Sequence, residues 1–410
     1  MSVRTCRFCG ALLRHTVCDL GLSPLSNAFV RPEDLARGEM FHPLHAFVCD
    51  ACFLVQLEEF ESPARIFSDY VYFSSYSDSW LAHCRAYATE IATDLGLGAQ
   101  SLVTEVASND GYLLRFFAKG GIPVLGIEPA DNVAEVARAQ GIETISRFFG
   151  RELARELVAS GRRADLLVGN NVLAHVPDLN DFVAGLQLAL APEGTLTMEF
   201  PHLLRLVEEV QFDTIYHEHF SYLSLLAVER IFAAHRLAIT DVRQLPTHGG
   251  SLRIYATHET RGVTPSPAVA ALRALERDAG LGRVETYTRF GAHVEACKRG
   301  LLRFLIDARE AGKTVVGYGA PAKGNTLLNY CGIRSDLLPY TVDRSPHKQG
   351  LFLPGTRIPV HAPERIAETR PDYVLILPWN LREEIMSQLA FIRDWGGRFV
   401  TPVPEVRVWP

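Results

Sequence analysis

Between residues 101 and 257 short apolar runs alternate with amphipathic stretches. Ser101-Leu-Val-Thr-Glu-Val-Ala107, Ile122-Pro-Val-Leu-Gly-Ile-Glu128, Asp165-Leu-Leu-Val-Gly-Asn170 and Gly194-Thr-Leu-Thr-Met-Glu-Phe200 have the length and apolar content of buried strands. Apolar positions at helical spacing mark 80–98, 111–117, 133–140 and 179–190 as helices. Strands alternating with helices predict an α/β fold with a doubly wound, mostly parallel sheet. Residues 237–245 and 251–257 read as an antiparallel pair around His248-Gly-Gly250. A polar, proline-bearing break at 257–266 ends this unit, and 268–312 carries long helical periodicity. A second α/β unit follows: strands at 314–319, 340–343, 372–377 and 398–401, helices at 322–330 and 381–391. The first 75 or so residues lack helical periodicity and are dense in Cys, His, Pro and aromatics. The pattern divides the chain into 1–75, 76–260 and 261–410.

At 410 residues the chain exceeds what one core serves, which agrees with that division. The net charge is -6 with no block of like charges, so neither nucleic acid nor a membrane surface is an expected partner. The longest apolar runs, such as Tyr373-Val-Leu-Ile-Leu-Pro378, are strand-length. The N-terminus lacks the apolar core of a signal peptide, so a cytoplasmic location is expected. In a reducing compartment the pairs Cys6-x-x-Cys9 and Cys49-x-x-Cys52 read as one structural zinc site on two hairpins. Four thiolates leave no open coordination position, so this metal serves folding rather than catalysis. His15, His42 and His45 are alternative ligands. Cys18, Cys84, Cys297 and Cys331 read as small buried hydrophobes, Cys18 lying near enough to complicate the assignment.

In an open parallel sheet, ligands sit beyond the carboxyl ends of the strands. Glu105-Val-Ala-Ser-Asn-Asp-Gly111 occupies that place and reads as an S-adenosylmethionine (SAM) turn, with Glu105, Ala107, Asn109, Asp110 and Gly111 around the methionine part. Glu128, ending the next strand, suits the ribose hydroxyls. Arg147-Phe148-Phe149 could flank the adenine, and Asn170 and Asn171 end a later strand where the adenine amine or the methionine would be reached. The turn is not Gly-x-Gly-x-x-Gly, which makes NAD the weaker reading. Downstream, Tyr216-His217-Glu218-His219 crowds a phenol, two imidazoles and a carboxylate together. A base-rich strip after a methyl-donor turn suggests that a proton leaves the substrate as a methyl group arrives. The bland reading is a capped turn whose histidines satisfy backbone groups. In an extended strip, Tyr216 and Glu218 share one face and His217 and His219 the other. Tyr222, closing the same stretch, and His248 are candidate substrate contacts. Gly317-Tyr-Gly-Ala-Pro-Ala-Lys323 resembles a phosphate-cradling turn, with Lys323 able to meet a diphosphate and Asp343, Lys348, Trp379 and Asn380 near the same cleft. The alternative is a Rossmann-like unit used only for packing.

Taken in order, the Cys pairs, the Glu105–Gly111 turn, Tyr-His-Glu-His-Phe220 and the Gly317–Lys323 turn resemble the nucleotide-sugar C-methyltransferases, which make branched deoxysugars for antibiotics and surface glycans. The resemblance covers essentially the whole chain. It implies a zinc-binding N-terminal domain, a SAM-binding middle and a Rossmann-like C-terminal domain. It also implies methyl transfer to C3 of a dTDP-4-keto-2,6-dideoxyhexose, with His219 as the base and Tyr76, His175, Tyr216 and Glu218 in support. One departure is Ala107, where the family turn usually has Gly; an extra methyl at a strand end is expected to be tolerated. Transfer at C5, a GDP carrier, O- or N-methylation and a non-catalytic scaffold remain open, and a monomer is expected.

Overall fold

The computed structural model describes residues 4–63, 75 and 78–410; Tyr76 lies outside them. Its strands form three sheets. β1 (His15–Ser23), β2 (His42–Val48) and β3 (Val55–Leu57) make an antiparallel N-terminal sheet. β4 (Val103–Val106), β5 (Val124–Ile127), β6 (Thr144–Ile145), β7 (Ala164–Asn170) and β8 (Leu190–Pro201) run parallel in a second sheet. β9 (Ser221–Tyr222) leaves this unit and pairs antiparallel with β3. β10 (Leu237–Leu245) and β11 (Ser251–His258) return to close the second sheet, whose order is β10-β11-β8-β7-β4-β5-β6. β12 (Val315–Tyr318), β13 (Thr341–Val342), β14 (Val360–His361), β15 (Tyr373–Ile376), β16 (Arg398–Thr401) and β17 (Arg407–Trp409) form the third sheet, ordered β14-β13-β12-β15-β16-β17.

Every residue of β4, all but one of β7 and the stretch 194–200 of β8 are buried, because helices cover both faces of the parallel part. The periodicity over 268–312 resolves into three helices, Pro267–Asp278, Val284–Thr288 and Phe290–Glu310. The break falls at Gly280, whose φ of 84° only glycine adopts without strain. Among the described residues no helix is long and apolar enough to cross a membrane.

The Tyr-His-Glu-His strip lies where the three sheets meet. It follows the 3₁₀ turn Phe212–Thr214 and leads directly into β9. On one side, Leu57 N donates to Phe220 O (3.0 Å). On the other, Thr326 of the helix Ala322–Cys331 donates its hydroxyl to Ile215 O (3.0 Å). The strip is a turn and not an extended strand: His219 N bonds to Tyr216 O (2.9 Å). An i to i+3 closure brings the first and last side chains together, so the Tyr216/Glu218 and His217/His219 faces expected of an extended strip do not form.

A buried carboxylate fastens the helix Leu225–Ala234, which follows β9. Glu276 accepts from Leu225 N (2.7 Å) and Leu226 N (2.9 Å), and His202 Nε2 lies 2.7 Å away. These amides have no partner inside their own helix. Glu276→Ala leaves them and His202 unpaired in the interior, and should cost about 3 kcal/mol. Calorimetry would read this as a drop of several degrees in Tm; an unchanged Tm would show that water replaces the carboxylate without loss.

Candidate active site

Beyond the carboxyl ends of β4, β5 and β7 lies a cavity of about 450 Å³. Ala107, Asn109, Glu128, Phe148, Phe149, Asn170, Asn171, His175 and His248 all line it, so the cofactor turn and two reaction-side candidates share one space. Backbone conformation explains the turn's residue types. Ala107, Asn109 and Gly111 have φ of 57°, 49° and 78°, three left-handed residues within five positions. Asn tolerates this region and Gly is free in it, but Ala is strained by roughly 1 kcal/mol. The substitution expected to be a mere extra methyl is therefore a backbone cost.

Glu128 is buried and already at work: Oε2 accepts from Asn109 N (3.0 Å) and Oε1 from Ala130 N (2.9 Å). Burial raises its pKa, and these amides oppose the rise. Glu105 is fully enclosed near the Tyr112 hydroxyl, and burial holds its pKa well above the usual carboxylate range. Of the turn's carboxyl groups and Glu128, only Glu128 lines the cavity; Glu105 and Asp110, whose Oδ1 is buried without a hydrogen-bond partner, lie behind the turn, and with Gly111 they do not reach the cavity wall. Glu128, facing the cavity, suits SAM, which carries an ammonium and a sulfonium. Phe148 is exposed at the rim, whereas Phe149 packs edge-on to Phe182 at 5.5 Å.

The candidate proton-handling groups gather beside this cavity. His219 Nδ1 stands 2.9 Å from the Thr214 carbonyl. A carbonyl only accepts, so Nδ1 carries the proton and Nε2 the lone pair. Tyr216 lies against the His219 ring (centroids 4.0 Å) and His175 meets it edge-on (4.8 Å). Burial, then the neighbouring His175, keeps the His219 pKa well below 6.5. Burial likewise lowers His175 and His248 to about 4. All three are neutral at pH 7. Glu218 turns away, accepting from Asn27 Nδ2 (2.7 Å), and burial lifts its pKa to about 7. His217 also points outward, to the Pro43 carbonyl (3.2 Å). Tyr222 is buried in the junction with the N-terminal sheet, its ring 6.2 Å from His219 and its hydroxyl enclosed without a partner.

The third sheet supplies a cation. Lys323, on the first turn of the helix Ala322–Cys331, donates to Asn380 Oδ1 (2.9 Å) and lies 4.4 Å over the Trp379 ring. Its charge acts on both His219 and His248. Trp379 Nε1 donates to Asp213 Oδ2 (2.7 Å), joining the sheet to the turn that carries His219. Burial raises Asp213 to about 6, opposed by Lys323 and by Trp379. Asp343 and Lys348 lie farther along this edge and serve its turn: Asp343 accepts from Ala320 N (2.7 Å) and Lys348 donates to Ala320 O (2.9 Å).

Sequence reasoning missed Trp80, which walls the cavity and lies 5.3 Å from His248, and Asn171 as the donor to His248 Nε2 (3.1 Å). It also missed Asn27, Asp213 and Glu199. Glu199 accepts from Thr247 (2.9 Å) and Arg253, fixing the loop that bears His248. Only Asp213 had a local signal, since it opens the Phe212–Tyr222 stretch.

Cys6, Cys9, Cys49 and Cys52 bring their sulfurs within 4.8 Å of one another, with Cys6–Cys52 and Cys9–Cys49 both at 3.5 Å. Tetrahedral zinc with Zn–S of about 2.3 Å requires sulfur separations of about 3.8 Å, so the set fits. Gln56 Nε2 donates to Cys6 Sγ (3.2 Å), as a thiolate ligand requires.

Glu128→Gln keeps the shape but removes the charge. S-adenosylhomocysteine (SAH) binding by titration calorimetry should weaken about tenfold or more, the effect of losing a charged hydrogen bond. Unaltered affinity would take Glu128 out of the cofactor site.

The chain is similar to known proteins along nearly its whole length. Family models match residues 6–67 as a zinc binding domain, 83–242 as a methyltransferase domain and 246–404 as a C-methyltransferase C-terminal domain. C-methyltransferase NovU of Streptomyces niveus is 38% identical over 98% of this chain and 96% of its own length. A ubiquinone biosynthesis O-methyltransferase of Methylobacterium sp. (strain 4-46) is 30% identical over 28% of this chain and 45% of its own. The magnesium protoporphyrin IX methyltransferase of Synechocystis PCC 6803, solved with bound SAH, is 16% identical over 48% of this chain and 91% of its own, with a TM-score of 0.35. By its near full-length relative and three successive family models, the chain belongs to the SAM-dependent C-methyltransferases, with a zinc-binding N-terminal domain.

Proposed function

We propose that this protein methylates C3 of a dTDP-linked 4-keto-2,6-dideoxyhexose, with His219 as general base. The observation that carries this reading is the His219 imidazole, neutral, with Nδ1 fixed on the Thr214 carbonyl and Nε2 left to take a proton beside the cofactor cavity. Methylation of oxygen or nitrogen does not need such a base so strongly, because those atoms carry a lone pair. Carbon does not: a C–H proton must leave first. A neighbouring keto group makes that proton acidic, since the negative charge moves onto the carbonyl oxygen. When bound, SAM supplies an electrophilic methyl group on a positively charged sulfur.

In this scheme His219 Nε2 takes the C3 proton, and the C–H electron pair becomes the enolate. Tyr216 and His175, both against the His219 ring, are candidate donors to the enolate oxygen. The Lys323 ammonium, which acts on His219 and His248, lowers the energy of the same negative charge. Glu218, held by Asn27, is a candidate for a sugar hydroxyl. The edge of the third sheet around Lys323, Trp379 and Asn380 is the candidate site for the nucleotide diphosphate.

Deuterium wash-in at C3 of a dTDP-4-keto-2,6-dideoxyhexose, in D2O with SAH, tests the reading. Exchange should depend on the enzyme and fall about a hundredfold or more in His219→Asn. Intact SAH binding in that variant keeps a folding defect apart from a lost base. Exchange at C5 alone would move the reaction to that carbon; none at either would reject the sugar. The pH dependence gives a second check. A base whose pKa lies well below 6.5 loses activity only as pH falls beneath that value. The acid limb of the exchange rate should therefore lie on the acid side of an ordinary histidine, measured in Glu218→Gln and Asp213→Asn variants, whose carboxyls titrate near 7 and 6; a limb that stays near 6.5 in both would exclude His219.

A further inference from the structure

Arg7 sits between two zinc ligands, Cys6 and Cys9, but its side chain reaches away from the metal. Nη1 donates to the Pro177 carbonyl (2.8 Å) and Nη2 to the Leu57 carbonyl. The guanidinium lies 5.3 Å over the ring of Phe220, the residue after His219. Leu57, in turn, donates its N–H to Phe220 O (3.0 Å). One planar cation thus touches both segments that carry reaction-side histidines: the one ending in His219-Phe220 and the one running from His175 to Pro177.

The second segment needs such a support. After the 3₁₀ turn Leu173–His175, the chain crosses Val176, Pro177 and Asp178 before the helix Leu179–Ala189 begins. These three residues belong to no strand or helix, yet all line the cofactor cavity. Side chains and backbone of the zinc knuckle hold this segment from outside. Besides Arg7, Asn180 donates to the Phe8 carbonyl (2.9 Å), again between the two cysteines. The knuckle is itself anchored: Gln56 Oε1 accepts from Arg7 N (2.8 Å), and Gln56 Nε2 donates to Cys6 Sγ (3.2 Å).

We propose that Arg7 is a positioning residue that couples the zinc knuckle to the cofactor cavity by fixing residues 175–178 and Phe220. The zinc domain then shapes the cofactor site as well as its own fold. A guanidinium suits the task because its rigid fork serves two carbonyls while its face stacks on a ring; an ammonium cannot do all three.

The test uses the full chain and SAH, so it is independent of which acceptor the enzyme takes. Arg7→Gln and Arg7→Lys should keep about one zinc per chain by elemental analysis, while SAH affinity falls about tenfold, the low end for losing a support around a site. Hydrogen exchange by mass spectrometry should quicken in residues 171–182 and leave β4 and β5 unchanged. Full zinc with unaltered SAH affinity and exchange would overturn the proposal. So would SAH binding that falls only in proportion to lost zinc, which would make Arg7 a support for the metal alone. Should both variants fail to fold, Asn180→Ala cuts the other half of the same joint. It should weaken SAH about threefold and quicken exchange at 175–178; no change there would equally overturn the proposal.

Discussion

The hydrogen bond from His219 Nδ1 to the Thr214 carbonyl is the constraint on which the rest depends. It selects the tautomer, and with it which ring nitrogen is basic. A bond to a carbonyl five residues earlier requires a turn, and the turn needs both ends held. The third sheet holds one end through Trp379–Asp213 and Thr326–Ile215. The N-terminal sheet holds the other through β9 and Leu57–Phe220. The reacting segment therefore rests on three units at once, and none of them alone would fix the imidazole.

The electrostatics divide along the same lines. Around the cofactor turn burial raises the pKa of Glu105 and Glu128, and the neighbouring Asp110 charge adds to both. Of these, Glu128 faces the cavity, where its charge favours a cationic ligand. On the other side three histidines are neutral through burial, and Lys323 acts on two of them, His219 and His248. In the proposed reaction a site for a cationic methyl donor is thereby set against one for a developing anion, with His219 as the proposed base between them. Glu199 shows how a buried charge is retained here: burial alone would raise its pKa, but His83, Arg253 and Thr247 bring it down to about 2. Its charge fixes Thr247 and so the loop of His248.

Much of this was legible in the sequence wherever the signal is local. β10 and β16 fall on the residues that their apolar pattern predicts, 237–245 and 398–401. The cysteine pairs converge because each two-residue spacing already shapes a turn, and the Glu105–Gly111 loop follows the switch point of a parallel sheet. Ala107 was visible as a departure, but its cost was not, because φ of 57° appears only when the chain is folded.

Spacing and periodicity determined which segments are strands, where the cofactor turn lies, which thiols share a metal and which strip is rich in bases. Tertiary structure alone decided how that strip is used. Tyr216 and His219 came together and Glu218 turned to Asn27, a partner 191 positions away. Trp379 reached Asp213 across 166. Arg7 met Pro177 across 170. Periodicity carries information over a few residues, since it reflects the geometry of one helix or strand. Contacts over such separations depend on how whole sheets dock, and that is fixed by the summed burial of their faces rather than by any local pattern.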